Sequence, residues 1–540
     1  MTIKYILPCA VLALSNGVFA AEPPSAGNQM QQIPPVPMLE KVIPKIDLQP
    51  SQTPAMVAAD RVKILVNRLQ VTGAQAYSEP TLLAVTGFKP GSELSLTDLR
   101  AMAAKIADYY HRNGYFVAQA YLPAQDIKNG VVTIAVIDGR YGQVTLNNQT
   151  NVSSPLANGL LDGLNSGEPV VVGPLENRLL LLSDLPGVKV NSTLVPGASV
   201  GTSDLIVNMS PGNRISGSVD ADNAGNHYTG ANRIGSTINF NEPLGLGDVA
   251  SLRSLTSGDG LNYVRGSYQL QLGKATAGVA YSALRYELNG GDYDGFNGTA
   301  RVASIYGSYP LIRSRNDNLY AGLVYDDKKF EDKHYSSTIR EKKAGVLTAS
   351  LYGNRRDSLG GGGVTSYSLA WSAGNIENTH PDEINGNFNK LGFNLSRLQR
   401  VTNTVSLSAA VNGQLASTRL DSSEQMELGG MYGVRAYPEG EAYADEGYVL
   451  NLEARLQLPK YSEQLPGQMQ LIAFVDAGSV TAHEVAGSRR ILSGAGIGFN
   501  WSDTNNFTLR AYYAVKLGDE KATSAPDQSG RFWIQAVKYF

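Results

Sequence analysis

Gly447 to Pro459 reads GYVLNLEARLQLP. In an extended chain side chains alternate between two faces, so Leu450, Leu452, Ala454, Leu456 and Leu458 share one face while Asn451, Glu453, Arg455 and Gln457 share the other. QMQLIAFVDAGS, from Gln468, places Met469, Leu471, Ala473, Val475 and Ala477 opposite Gln468, Gln470, Phe474 and Asp476. NFTLRAYYAVKLG, from Asn506, sets Phe507, Leu509, Ala511, Tyr513 and Val515 against Thr508, Arg510, Tyr512 and Lys516. A soluble sandwich would need a second sheet to cover such apolar faces. Ten-residue segments with a full apolar face and charges opposite fit a lipid-facing barrel with a polar lumen.

About sixteen such segments fit between Arg214 and Phe540, an even number, as expected of a single-chain bacterial barrel. The expected fold class is mainly β: residues 212–540 form a sixteen-stranded transmembrane antiparallel barrel behind two small α+β domains. The longest irregular stretch, 420–446, falls between the eleventh and twelfth strands and belongs to the extracellular side, counting from a periplasmic start. The last strand ends in Tyr539-Phe540. The 57 glycines and 28 tyrosines suit such a barrel, whose aromatic girdles sit at the two interfaces. A formal net charge of −3 advertises no polyanion-binding surface, for nucleic acid or otherwise.

Ahead of the barrel, MTIKYILPCAVLALSNGVFA carries Lys4, an apolar run from Tyr5 to Leu14 and Val18-Phe19-Ala20, the pattern of a secretory signal peptide over residues 1–20. The single cysteine, Cys9, leaves with it, so no disulfide is expected. Residues 21–62 are rich in proline and glutamine and read as an extended tether. A compact unit over 63–139 then runs strand (Ile64–Val71), short helix from Ser78, longer helix from a Ser95-x-x-Asp98 capping box to Gly114, and strands Phe116–Leu122 and Val131–Ile137. The order repeats over 140–211, with helices Ser153–Leu164 and Pro174–Leu185 and strands near Val190 and Leu205.

Within the long loop lies GGMYGVRAYPEGE, Gly429–Glu441. Arg435 brings a fixed positive charge and a planar fork of donors. Strand parity points Asp476 into the lumen beside Phe474 and Gly478. A loop folded back into the barrel would pair Arg435 with Asp476; a loop left in solvent would make Arg435 a hydrated surface residue, and alternation alone leaves both readings open.

GGMYGVRAYPEGE resembles the sixth-extracellular-loop motif, VRGY/F, of the outer-membrane assembly and secretion superfamily. Phe474-Val475-Asp476-Ala477-Gly478 resembles its FxDxG strand motif. The tandem modules resemble two POTRA (polypeptide-transport-associated) domains, and Gly114–Gly142 is especially similar to the first POTRA domain of two-partner secretion transporters, the TpsB family. Ala436 stands where the family usually has glycine, and Lys538 where the C-terminal insertion signal usually has an apolar residue. The resemblance implies export without chemistry. A secreted TpsA-type exoprotein would bind unfolded in the periplasm, cross the barrel and reach the surface without nucleotide hydrolysis. The implied transport motif is Val434, Arg435, Ala436, Tyr437 and Pro438, locked by Phe474, Asp476 and Gly478, with Phe540 as the barrel insertion signal. Further implied partners are outer-membrane lipid and the barrel assembly machinery; no cofactor or metal is implied. The family's plug helix belongs before the first module, where the proline-rich segment has room only for a short one. An extended substrate can add as a strand to an exposed sheet edge; the candidate edges are Phe116, Val117, Ala118, Tyr121 and Leu122 in the first module and the Val190 strand, Val188–Val195, in the second.

The alternatives are an enzyme, a passive porin and an assembly factor. No H-E-x-x-H motif or GxxxxGK[ST] loop occurs, and His111, His227, His334, His380 and His483 are scattered. A porin needs no periplasmic modules, and the count of two modules disfavours an insertion factor. Gly360–Gly363 reads as a tight turn between strands, and Asp326, Asp327, Lys328 and Lys329 read as a solvated charged loop.

Overall fold

The computed structural model describes residues 23–37, 44–48, 62–379, 383–483 and 489–540. The expected signal peptide and His380 lie outside them. Sixteen strands between Ile215 and Tyr539 close into one antiparallel barrel, the architecture expected from the alternation. Its last strand, Gly530–Tyr539, returns to the first, Ile215–Asp222, over Ser218↔Tyr539 to Asp222↔Gln535. Phe540 completes the seam, its N–H donating to the Gly217 carbonyl (3.1 Å) and its carbonyl accepting from the Gly217 N–H (2.9 Å). Lys538 is exposed on the outer wall and donates to Asn506 Oδ1.

Each barrel strand solves two solvation problems at once. Leu452, Leu456, Leu471, Val475 and Tyr513 stay exposed on the outer wall, where lipid rather than water covers them. Inside, charges are buried in pairs: Arg233 with Asp222 (2.8 Å) and Arg253 with Asp220. The charged run from Asp326 to Lys329 is not a loop. It lies within the Asp317–His334 strand, and its even members face the lumen, where Lys328 pairs with Glu424 (2.6 Å) and Asp326 accepts from Ser304 (2.6 Å). Two oppositely charged neighbours look like a solvated loop when both faces of a strand are polar.

The N-terminal segment contributes α1 (Ala26–Gln31) and β1 (Lys45–Leu48). The first module comprises β2 (Lys63–Val66), β3 (Arg68–Thr72), α2 (Glu79–Thr86), β4 (Ser92–Ser95), α3 (Leu96–Arg112), β5 (Gln119–Tyr121) and β6 (Val131–Ile137). Its sheet runs β3-β6-β5, with β2 and β4 paired separately. The strand expected from Ile64 to Val71 breaks at Asn67, because the N–H groups of Asn67 and Arg68 both turn to the Gly130 carbonyl (2.8 and 3.2 Å). Ser95 and Asp98 form the expected reciprocal cap of α3, and Gly114 follows it with φ +90°. Leu99, Ala103, Ile106 and Tyr110 bury one stripe of α3 against Val132, Ile134 and Val136.

The second module comprises β7 (Arg140–Asn148), α4 (Ser154–Leu161), α5 (Val172–Ser183), β8 (Val188–Pro196) and β9 (Thr202–Pro211). Its sheet runs β1-β8-β9-β7, so a strand from the tether is its outermost member. α5 then docks on the barrel. Asp184, just past its end, holds Arg313 through two hydrogen bonds (2.7 and 3.0 Å), and Asn177 donates to the Arg313 carbonyl (2.9 Å).

Candidate functional site

The lumen is filled by the chain between Ala416 and Glu446. Its tip is a tight turn: a Cβ on Gly433 would stand 2.1 Å from the Leu428 carbonyl oxygen, so only glycine fits there. This turn delivers Val434, Arg435, Ala436 and Tyr437 to the wall, where all four are buried. Val434, Ala436 and Tyr437 cluster with Leu428, Val449, Phe474 and Leu492, so the loop tip carries its own apolar core into a polar lumen.

Arg435 spends every part of its fork. Nε and Nη2 donate to the two oxygens of Asp476 (2.8 and 2.7 Å), Nη1 donates to Glu453 (2.8 Å), and the backbone N–H also reaches Asp476 (3.1 Å). The guanidinium lies 3.5 Å from the centroid of the Phe474 ring, and the Arg435 carbonyl accepts from Trp533 Nε1 on the last strand (2.7 Å). Asn451 donates to Asp476 and to the Gly433 carbonyl (2.8 and 3.0 Å). Burial works against the arginine's charge, but the hydrogen bonds and charge of Asp476, helped by Glu453, hold its pKa above the ordinary value. Bidentate charge-assisted pairing of this kind is strong and directional.

The small residues around the lock have steric reasons. A Cβ on Gly478 would meet the Leu428 and Val434 side chains at 3.0 and 3.3 Å, so this glycine makes room for the loop. Ala436 does not need glycine, since it lies outside the left-handed region, and its methyl group is received by Gly494. The left-handed positions of this loop are Gly430, Gly440 and Ala442. Tyr437 donates to the Glu520 carbonyl (3.1 Å). The Pro438 carbonyl lies where a Cβ on Gly429 would be, 2.1 Å away.

Three further ionic anchors were not read from the sequence. Glu424 pairs with Lys328 and Lys390 (2.6 and 2.8 Å), Asp421 with Lys342 (2.8 Å), and Glu441 with Arg490 (2.6 Å). The bases sit on four separate barrel strands, so the loop is tied around the wall. Alternation along the strands, which places Lys328, Lys342 and Lys390 on the lumen face, is the one sequence signal that could have found them. The loop also holds protonatable carboxyls: burial, with the charge of Glu441, pushes Glu427 up to about 7, and burial, with the charge of Glu427, raises Glu439 well above the usual range.

Helix α1 lies inside the barrel against this loop. Ser25 and Asn28 close a capping box. The Ala26 N–H donates to Asp332 on the wall (2.7 Å), Arg233 donates to the Gln32 carbonyl (3.1 Å), and Gln32 donates to Tyr443 of the loop (2.6 Å). Tyr443 in turn donates to Glu427 (2.8 Å). A Cβ on Gly27 would stand 2.6 Å from that of Ser423, so helix and loop touch along their backbones. A six-residue helix is the short element that the proline-rich composition allowed.

The expected binding edges need correction. Phe116 and Val117 are not in a strand; they pack against the core of the second module, a place set by the apolar burial of the junction. Ala118 is buried and its carbonyl is held by the His111 ring (2.9 Å). Leu122 lies past the end of β5 and packs on the first core. Tyr121 does lie on β5, a three-residue outer strand, and is exposed. Val190 is buried in the second core, and its strand β8 is covered by β1, paired in parallel from Lys45↔Asn191 to Leu48↔Leu194.

Residues 201–501 match the family described as haemolysin secretion/activation protein ShlB/FhaC/HecB, and residues 64–139 match the ShlB-type POTRA domain. The heme/hemopexin transporter protein HuxB of Haemophilus influenzae is 30% identical over 474 residues, covering 83% of this chain and 82% of the relative. The outer membrane transporter CdiB of Dickeya dadantii is 24% identical, covering 72% of this chain and 71% of the relative. The solved structure of CdiB from Escherichia coli superposes with a TM-score of 0.71 at 20% identity, over 90% of this chain and 93% of that one, a likeness of fold.

Proposed function

This chain belongs to the haemolysin secretion/activation protein family, and from that premise we propose that it recognises an unfolded exoprotein in the periplasm and exports it through the barrel without nucleotide hydrolysis. It is a two-partner secretion transporter of the outer membrane, with its two POTRA domains in the periplasm and a secreted exoprotein as the kind of partner its family serves. The observation that carries the finer reading is the filled lumen. A helix and a locked loop close the barrel, and the helix is tied to the wall by hydrogen bonds at Ala26 and Gln32, contacts that exchange with water or with a passing chain at low net cost. A barrel shut by removable parts behind chain-binding modules suits gated passage of a polypeptide.

In this reading Arg435 and Asp476 fix the loop on the far wall while α1 is displaced. The substrate enters along a module edge, by β5 around Tyr121 or by taking the place of β1 on β8. Main-chain hydrogen bonds supply affinity in either case. Folding of the emerging substrate supplies the pull.

The test is secretion of the cognate exoprotein, in a strain lacking this gene, with wild type or Arg435→Ala restored. Export restored by wild type but not by Arg435→Ala at equal outer-membrane levels supports the reading. Exoprotein reaching the medium with neither copy present would refute it.

A further inference from the structure

The outer wall carries charges for which transport has no use. On the Asp317–His334 strand the odd-numbered residues face outward. Lys329 stands directly opposite Arg301 on one neighbouring strand and Lys343 on the other. Cations set directly across from one another repel, an arrangement that destabilises a sheet unless something compensates. Followed beyond Arg301, the same hydrogen-bonded row passes through Ala283, Val264 and Ser254, all uncharged. The cations therefore form one patch.

The protein itself neutralises it only in part. Among the described residues Arg301 and Lys343 make no ion pair within 4.0 Å, and Lys329 reaches only Asp327, at 3.8 Å, with side chains 57% and 52% exposed. Of the nearby acids, Glu331 is engaged by Lys333 (2.9 Å) and Thr338 (3.1 Å), Glu341 lies one step nearer the extracellular end, and Glu377 stands opposite Lys343. A concavity of about 380 Å³ covers the row, lined by Arg301, Lys329 and Lys343 and by the carboxylates Glu331, Glu341 and Glu377 among others.

Height completes the argument. Four residues below Lys329 on the same face is Tyr325, in a row with Ile305 and Leu347, all exposed and apolar. With a rise of roughly 3.3 Å per residue and a strand tilt of roughly 40°, the cations stand on the order of 10 Å above that row. That is headgroup depth in the outer leaflet. Three strands spaced by roughly 4.8 Å give the patch a width of about 10 Å, enough for a headgroup bearing more than one phosphate.

We infer that Arg301, Lys329 and Lys343 form a binding site for the phosphate groups of an outer-leaflet glycolipid. The apolar row below receives its acyl chains while the cations receive its charge. A free aqueous anion would gain only the second of these.

The full-length protein in detergent is titrated with bis-phosphorylated lipid A, with the same lipid stripped of phosphate, and with inorganic phosphate, and occupancy is read by native mass spectrometry. Each basic residue near an anionic membrane surface contributes roughly a factor of five in affinity, so the triple variant Arg301→Gln, Lys329→Gln, Lys343→Gln should bind phosphorylated lipid A on the order of a hundredfold more weakly. A control lacking three periplasmic-side lysines, Lys128→Gln, Lys189→Gln, Lys460→Gln, should bind as wild type does. Heat-modifiable migration on gels checks that each barrel is folded; if the triple variant is not, Lys329→Gln alone should still weaken binding severalfold. Unchanged affinity in the folded variants, equal binding of the dephosphorylated lipid, or displacement of the lipid by millimolar inorganic phosphate would each overturn the assignment.

Discussion

Ala436 and Gly494 meet so closely that only one of them can carry a methyl group: a Cβ on Gly494 would lie 2.5 Å from that of Ala436. Loop and wall are complementary at that one point. Gly494→Val should lift the loop tip, since the adjacent contact is part of a packed cluster and overpacking costs roughly 1–3 kcal/mol. Higher single-channel conductance in planar bilayers, with normal barrel levels, is the expected result; unaltered conductance would mean the contact is incidental.

Arg435→Ala leaves Asp476, which is fully buried, without its countercharge, a change worth roughly 3–5 kcal/mol. Arg435→Lys should fail almost as badly, because one ammonium cannot serve both Asp476 oxygens, Glu453 and the Phe474 face together. Export assays and protease sensitivity of the loop on intact cells check both variants.

Asp332 accepts the Ala26 N–H at the start of α1. Asp332→Asn weakens a charge-assisted hydrogen bond of roughly 1.5–3 kcal/mol, so the time spent with the plug displaced should rise about tenfold or more. Accessibility of a cysteine introduced in place of Met30 to a periplasmic reagent measures it.

Protonation should matter as well. Glu427 binds its proton more tightly in the folded loop, at about 7 against an ordinary 4.5. A folded state that holds the extra proton gains stability at low pH and loses it as pH rises through that window, and Glu439 acts in the same direction. The closed state should therefore be firmer at pH 5 than at pH 8, seen as fewer channel openings. Glu427→Gln should flatten the dependence.

Because β1 occupies the outer edge of β8, Ile46→Pro, which removes a ladder donor and restricts the strand, should bare that edge. Affinity for an unfolded exoprotein fragment should rise severalfold by calorimetry if β8 is a docking edge, and stay the same if β5 is used alone.

The barrel was legible because period-two alternation is imposed by lipid on one side and water on the other along every strand; Leu452 and Glu453 carry that message without help from distant sequence. The Arg435–Asp476 contact could be named because both residues lie in recognisable motifs. Its companions could not. Glu424, Asp421 and Glu441 find their lysines and arginines only through the path of a folded loop, which local pattern does not encode. The module edges failed for a related reason. Phe116 and Val117 have the composition of a strand, but the interface between modules claimed them, and β1 contains four residues whose partner lies more than a hundred positions away.

The seam at Gly217 and Phe540 also dictates a chronology. Helix α1 leaves the ribosome before any strand that will surround it, yet it cannot be seated until the lumen exists and Trp533, on the last strand, has taken hold of the loop it leans on. Biogenesis must therefore deliver an empty cylinder first and a stoppered one afterwards, so every newly made molecule passes once through a state in which its helix is outside its seat.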